Sequence, residues 1–361
     1  MADMIKRYEE AARREAQTLN AEIGGEALTF AFITDLHHGV GGNMLHAAAA
    51  VAEAARHMRL DFILCGGDIS INGPLPDVLA AQEEIGAALA AAGPQLLTVR
   101  GNHDDNSLYG AEHKEVDGPA HVVYPRQWRD TLLRGLRERA VFDAGQPDSL
   151  YYYVDYPAAR TRVIVLDTTD IPYEVDEEGK LKYHGQWYYA FSSRQFDWLV
   201  QEALALGDRP DWRVLFASHV QPMYDGVFGT DHRVRNEEAM WGIIDAFAKG
   251  AAFSSSGGEA PFDYTIEADF SVQGPRTVIG YLFGHVHFDQ VLYRSGIPVI
   301  STLNANTHRD FPEAPERIAD TMSAIAFDLV AVDFDRSALI ARRVGAGEHR
   351  VIEFGPRAPS L

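Results

Sequence analysis

Asp35-Leu36-His37, Gly67-Asp68, Gly101-Asn102-His103-Asp104, His219 and Gly284-His285-Val286-His287 are the groups in this chain best suited to chemistry. Each follows a short apolar run, at Leu28–Thr34, Asp61–Cys65, Gln95–Val99, Trp212–Ser218 and Thr277–Phe283. Imidazoles, carboxylates and one amide oxygen form a mixed donor set suited to Mn, Fe, Zn, Ni or Mg. One histidine at a strand end is ordinarily a satisfied core residue. Five such ends would bury costly polar groups repeatedly with no collective gain unless they share a purpose. So many ligands point to two divalent ions rather than one, with Asp68, alone between the paired groups, as the bridge. Offset only by Asp35 and Asp68, two divalent ions leave a locally positive centre that attracts a compact anion.

Other chemistries find less support. Cys65 is the only cysteine and lies inside an apolar run, which disfavours a thiolate nucleophile. The absence of clustered thiols argues against a structural zinc site. Gly39-Val40-Gly41-Gly42 and Ser254–Gly258 lack the Lys-Ser/Thr ending of a phosphate-cradling loop.

The elements that must position these groups read as alternating strands and helices. In an extended segment residues i and i+2 share a face, so Asp35 and His37 are expected to reach one cation from a strand. Asn43 is expected to cap a helix from Met44 to Arg59, and a second helix runs to about Ala92, ahead of Gly93-Pro94. Strand-helix repetition predicts a largely parallel sheet with right-handed crossovers, and ligands gather beyond its strands' carboxyl ends. Residues 1–26 form an N-terminal helix (Met4–Asn20) and 27–361 a single domain.

Two stretches interrupt the rhythm, at about 105–160 and 171–191, and are read as cap insertions. The first holds a helix from Arg126 to Arg139 and a strand at Leu150–Val154; the second is rich in aromatics, including Tyr183, Trp187 and Tyr188. Such loops beside a polar centre either stack a ring or pack the cap. Ser192 or Ser193 caps a helix, Asn236–Lys249 is another, and Phe253–Glu259 reads as a flexible loop. The strand-rich segment from Phe288 onward suggests a second sheet, its apolar residues covering that sheet or forming a homo-oligomer interface. His38, Tyr224, Asn304, Asn306 and His308 lie near the motif loops and are further pocket candidates.

With 361 residues, 46% of them hydrophobic, the chain can bury a large core. A net charge of −20 repels an extended polyanion, which argues against nucleic acid as partner. A lone cysteine fits a reducing compartment, no apolar run is long enough to span a membrane, and Met1–Glu26 lacks a signal peptide's apolar core. The expectation is a cytoplasmic protein acting on a small molecule.

Taken in order, D-x-H, G-D, G-N-H-D, H and G-H-x-H resemble the calcineurin-like metallophosphoesterase superfamily. The resemblance implies a four-layer αββα sandwich, an α/β (α+β) fold with two mixed β-sheets flanked by helices. It implies Asp35, His37 and His287 on one metal ion and Asn102, His219 and His285 on the other, with Asp68 bridging. His103 would be the catalytic histidine beside the leaving group, with Asp104 orienting it. The implied reaction is metal-dependent phosphoric ester hydrolysis, with in-line attack by a hydroxide held between the ions. Gly67-Asp68-Ile69-Ser70-Ile71-Asn72-Gly73 is similar to the bacterial cyclic-nucleotide phosphodiesterase-like branch, although Asn-Gly is also simply a good turn dipeptide. A small-molecule phosphodiesterase is expected, with a phosphomonoesterase or nucleotidase as the alternative and a non-catalytic scaffold behind it.

Overall fold

A computed structural model describes residues 2–39, 44–113 and 117–355. The expected cap at Asn43 lies outside these residues. Helix α1 (Ala2–Glu22) buries Tyr8, Ala11, Ala12, Ala16 and Leu19, a helical stripe that packs on α2 (Met44–His57). Strands β1 (Ala27–Ile33), β2 (Phe62–Cys65) and β3 (Gln95–Thr98) pair in parallel through α2 and α3 (Leu75–Ala90). Ile33 sits level with Cys65, and Cys65 with Thr98, so the residues after all three strands emerge along one edge.

The chain continues through α4 (Ser107–Glu112), α5 (Pro125–Thr131), β4 (Val141–Phe142), β5 (Tyr152–Tyr156) and β6 (Thr161–Val165). After α6 (Ser193–Trp198) and β7 (Arg213–Ala217) come α7 (Glu237–Lys249) and a hairpin of β8 (Ala252–Gly257) and β9 (Tyr264–Asp269). The remaining strands are β10 (Val278–Phe283), β11 (Gln290–Arg294), β12 (Ile297–Ser301), β13 (Ala326–Asp333), β14 (Ala338–Gly345) and β15 (Arg350–Glu353).

One sheet has six strands in the order β15-β14-β13-β1-β2-β3, the other seven in the order β11-β12-β10-β7-β6-β5-β4. Alternation along β7 shows how the layers stack. Leu215 and Ala217 face the core shared with the first sheet, whereas Val214 and Phe216 pack with Met240, Ile243 and Phe247 of α7. Helices α1 to α3 cover the other side, giving the expected αββα sandwich.

Several sequence expectations are corrected. The 253–259 segment is not a free loop: β8 pairs with β9 from Ala252↔Asp269 to Gly257↔Tyr264, a pairing its serine run could not advertise. The strand expected at 150–154 is found at Tyr152–Tyr156, so the first insertion, read from sequence as cap, builds the edge of the second sheet. The helix foreseen to Arg139 stops as α5 at Thr131. The C-terminal strands do not form one second sheet. β11 and β12 join the seven-stranded sheet, while β13 to β15 complete the first, with β13 antiparallel to β1 and sealing that edge. The cap at Ser192 is as expected, its hydroxyl accepting from the Gln195 N–H.

Candidate metal centre

Strand β1 ends at Ile33, and the backbone then turns rather than remaining extended. Asp35, His37, Asp68, His285 and His287 all have positive φ, at 53°, 44°, 50°, 67° and 51°. This corrects the strand-alternation reading of D-x-H, because left-handed turns rather than period-two pleating aim Asp35 and His37 inward. Asp, Asn and His tolerate this region better than bulky residues, yet each such strained residue costs of order 1–3 kcal/mol. Strain of this kind persists only where the surroundings over-determine it. Gly67 is held equally tightly: at φ 101°, an added Cβ would lie 2.6 Å from His219 Nδ1.

The turns bring all seven expected ligands together. Asp35, His37 and His287 form one group, and Asp68, His219 and His285 another, with donor atoms in each within 4.8 Å of one another. Asn102 Oδ1 lies 2.9 Å from both His219 Nε2 and His285 Nδ1, and Asp68 Oδ2 lies 3.2 Å from His219 Nε2 and 3.8 Å from His37 Nε2. Asp68 therefore stands between the two groups.

Hydrogen bonds on the far side of three of the four histidine rings test whether cations fit. His219 Nδ1 donates to the Gly66 carbonyl at 2.8 Å, so a neutral ring turns its Nε2 lone pair toward Asn102 Oδ1 and Asp68 Oδ2, both acceptors. His287 Nδ1 donates to Asp310 at 2.6 Å, which aims Nε2 at Asp35 Oδ1 (3.3 Å) and His37 Nε2 (3.2 Å). His285 Nε2 donates to Asp231 at 3.0 Å, which aims Nδ1 at Asn102. Acceptors facing acceptors require a positive charge among them, and histidines oriented by outer acceptors are what metal sites use. The donor set thus fits two divalent ions.

Without ions, protons take that role. Burial lowers the His219 imidazole, but Asp68 and Asp35 overcome it and raise it to about 9. His287 is likewise lowered by burial and then raised to about 10 by Asp35 and Asp310. His37 is pushed down to about 4 by burial, which the nearby carboxylates only partly offset. Asp68 resists the upward push of burial because His219 and His103 hold it well below the usual carboxylate range.

His103 sits beside the pair. Its backbone N–H donates to Asp68 Oδ1 at 2.8 Å, its ring Nδ1 lies 2.5 Å from Asn72 Oδ1, and its Nε2 lies 3.0 Å from the Gln186 side-chain amide. Asp104 does not orient this ring. Its Oδ1 accepts from the Ser70 N–H and hydroxyl and its Oδ2 from the Gly101 N–H, so it ties together the loops after β2 and β3. Buried and close to Asp68, its carboxyl is raised to about 7.

The looser pocket candidates separate. Asn306 Nδ2 donates to the Asp35 carbonyl at 3.1 Å, and Asn304 Nδ2 in turn donates to Asn306 Oδ1 at 2.8 Å, so both brace the site. His308 lies 3.3 Å from Asp310, His38 hydrogen-bonds Glu84, and Tyr224 lies under Arg233. Asp231, Asp310 and Gln186 were not foreseen; a lone Asp or Gln in a loop carries no spacing signal. Asn72 was visible only as part of a turn dipeptide.

The sequence pattern of the calcineurin-like phosphoesterase family matches residues 28–299. No curated protein matches the chain by sequence. A dimetal phosphatase from Danio rerio superposes with a TM-score of 0.61 at 16% identity, covering 92% of this chain and 100% of that one. GAP50, the anchor in the inner membrane complex of Plasmodium, gives 0.48 at 13% identity, covering 92% and 89%. The matched span covers most of the chain and every motif from Asp35 to His287, so the chain belongs to the calcineurin-like phosphoesterase family and is a metal-dependent phosphoesterase working with two divalent ions.

Proposed function

We propose that the enzyme is a phosphodiesterase acting on a small molecule. The observation that carries this reading is the company the ligands keep. Among the described residues, no Lys or Arg side chain is hydrogen-bonded to any of the seven expected ligands, whose outer partners are Thr34, Asp231 and Asp310. A monoester dianion brings more negative charge than a diester monoanion and gains from an added cationic side chain, which none of the described hydrogen-bond partners of these ligands supplies.

In this reading Asp35, His37 and His287 hold one ion, Asn102, His219 and His285 the other, with Asp68 between them. Bound ions supply Lewis acidity and lower the pKa of a water. Asn72 fixes the His103 ring with Nε2 toward the leaving oxygen; when both ring nitrogens are protonated, Nε2 would give its proton to that oxygen and return the ring to its neutral Nδ1–H form, a general-acid contribution typically of about 10²- to 10⁴-fold. The metals are drawn from Mn, Fe, Zn and Ni, which suit the mixed donors. Buried, unpaired Cys65 fits a cytoplasmic location.

Metal-stripped protein reconstituted with Mn, Zn, Ni or Mg should hydrolyse a chromogenic diester faster than the matched monoester. Faster monoester turnover would replace this reading with a phosphomonoesterase or nucleotidase.

A further inference from the structure

Residues 186 and 187 of the second cap insertion divide two tasks at the mouth of the site. Gln186 places its amide nitrogen 3.0 Å from His103 Nε2, the atom that faces the leaving group in the reading above. A leaving oxygen that reaches Nε2 must therefore take the position this amide holds. Trp187 comes next in the chain and is 54% exposed although it is among the largest apolar residues of the protein. Its ring lies 5.0 Å from that of His232, edge to face. His232 follows Asp231, the acceptor that orients His285.

The indole is thus flanked on one side by the residue on His103 and on the other by the neighbour of the residue on His285. Both flanks are anchored at the metal centre. From the indole a chain of rings leads back to the ligands, through His232 to Tyr189 at 6.2 Å and on to His285 at 5.3 Å, so the exposed ring belongs to the rim of this centre.

We infer that Trp187 is a specificity-determining residue that stacks on a flat aromatic ring carried by the leaving-group side of the substrate. This deepens the proposed function and rests on it for the direction in which the substrate lies. Every flat ring has a π face, and stacking of a base on an aromatic side chain is a strong, sequence-tolerant contact. His232 and the cap segment around Gly185, whose N–H donates to the Ser107 hydroxyl at 2.7 Å, hold the indole in place before substrate arrives. A nucleoside and a simple aryl group would both satisfy this surface.

Calorimetric titration of the metal-loaded protein tests the inference without requiring turnover. One ligand pair is adenosine 5′-monophosphate against ribose 5-phosphate; a second is phenyl phosphate against cyclohexyl phosphate. Each pair keeps the phosphate and changes only the ring. The wild type should favour the flat-ring member of at least one pair by about tenfold or more. Trp187→Ala should abolish that gap while leaving the ring-free ligands within about twofold, and Trp187→Phe should keep most of it. A gap in the first pair alone assigns a nucleoside, and a gap in both assigns any flat ring. Equal affinities in the wild type, or a gap that survives in Trp187→Ala, would overturn the inference. A protein that keeps the gap but hydrolyses no phosphoester would instead discredit the catalytic reading, so the two failures are distinct.

Discussion

His103 Nδ1 lies 2.5 Å from Asn72 Oδ1, and this one contact fixes which nitrogen of the ring faces the site. An amide oxygen only accepts, so Nδ1 carries the proton and Nε2 is left for the substrate side. The partner comes from the loop after β2, the same loop that carries Asp68.

Asn72→Ala is expected to slow turnover by about ten- to a hundred-fold by freeing the ring, with substrate KM little changed. Asn72→Asp places a negative charge against Nδ1 and favours the imidazolium. The pH-rate limb belonging to His103 should then move to higher pH. Full pH profiles of kcat and kcat/KM for the two variants check both points; a uniform loss with an unmoved profile would make Asn72 merely structural.

Asp68→Asn removes the negative charge between the two ligand groups while keeping the side chain's shape. The protein should then bind at most one ion tightly, and turnover should fall by about a thousand-fold, since a Lewis-acid clamp is worth several kcal/mol. Metal content by mass spectrometry after gel filtration, measured beside activity, reads both effects.

Loading the site with ions should release protons. His219 and His287 are raised to about 9 and about 10 in the ion-free protein, so both are protonated at neutral pH and must lose that proton to act as ligands. About two protons should appear per fully loaded molecule at pH 7, and apparent affinity should weaken as pH falls. Titrations in buffers of different ionisation enthalpy count the protons. Chelation should also lower the melting temperature, because ions bound at a hundred times their Kd stabilise by about 2.7 kcal/mol.

Away from the site, Asp328 on β13 is buried against Arg343 on β14, with the guanidinium Nε 2.9 Å from Oδ1, and Arg350 Nη2 reaches its other oxygen at 2.6 Å. Burial pushes the Asp328 carboxyl up, but the two guanidinium groups overcome this and hold it below the usual range. Since its folded pKa lies below the unfolded value of about 3.9, the stability it contributes is present above that pH and is lost as pH falls further. Asp328→Ala should cost about 1–3 kcal/mol at pH 7, because Arg343 and Arg350 lose this carboxylate and keep only Asp289 as an anionic partner. The gap in melting temperature from wild type should narrow below about pH 4.

Much of this protein was legible in its residues. The five strand-end motifs run from Asp35 to His287, and each follows an apolar run that reads as a buried strand, so the alternation of strands and helices came from local pattern, while the four-layer stack was implied by the family resemblance those motifs carry. Side chains of the right type at strand ends carry their chemistry with them wherever the backbone goes.

What the order of residues could not reveal depends on groups distant in the chain meeting in space. That Asp35 and His37 converge through left-handed turns, with φ of 53° and 44°, is decided by packing against the loops after β2 and β10 rather than by local preference. Asp231 and Asp310 became the orienting partners of His285 and His287 only when their loops folded back across the site. Asp104, adjacent to His103 in the chain, was drawn to Ser70 and Gly101, and Asn72, 31 positions away, took the place beside the ring. Likewise β13 to β15 lie far from β1 in the chain but cover its open edge, because an unpaired row of backbone donors and acceptors is satisfied by whichever strand the tertiary fold delivers.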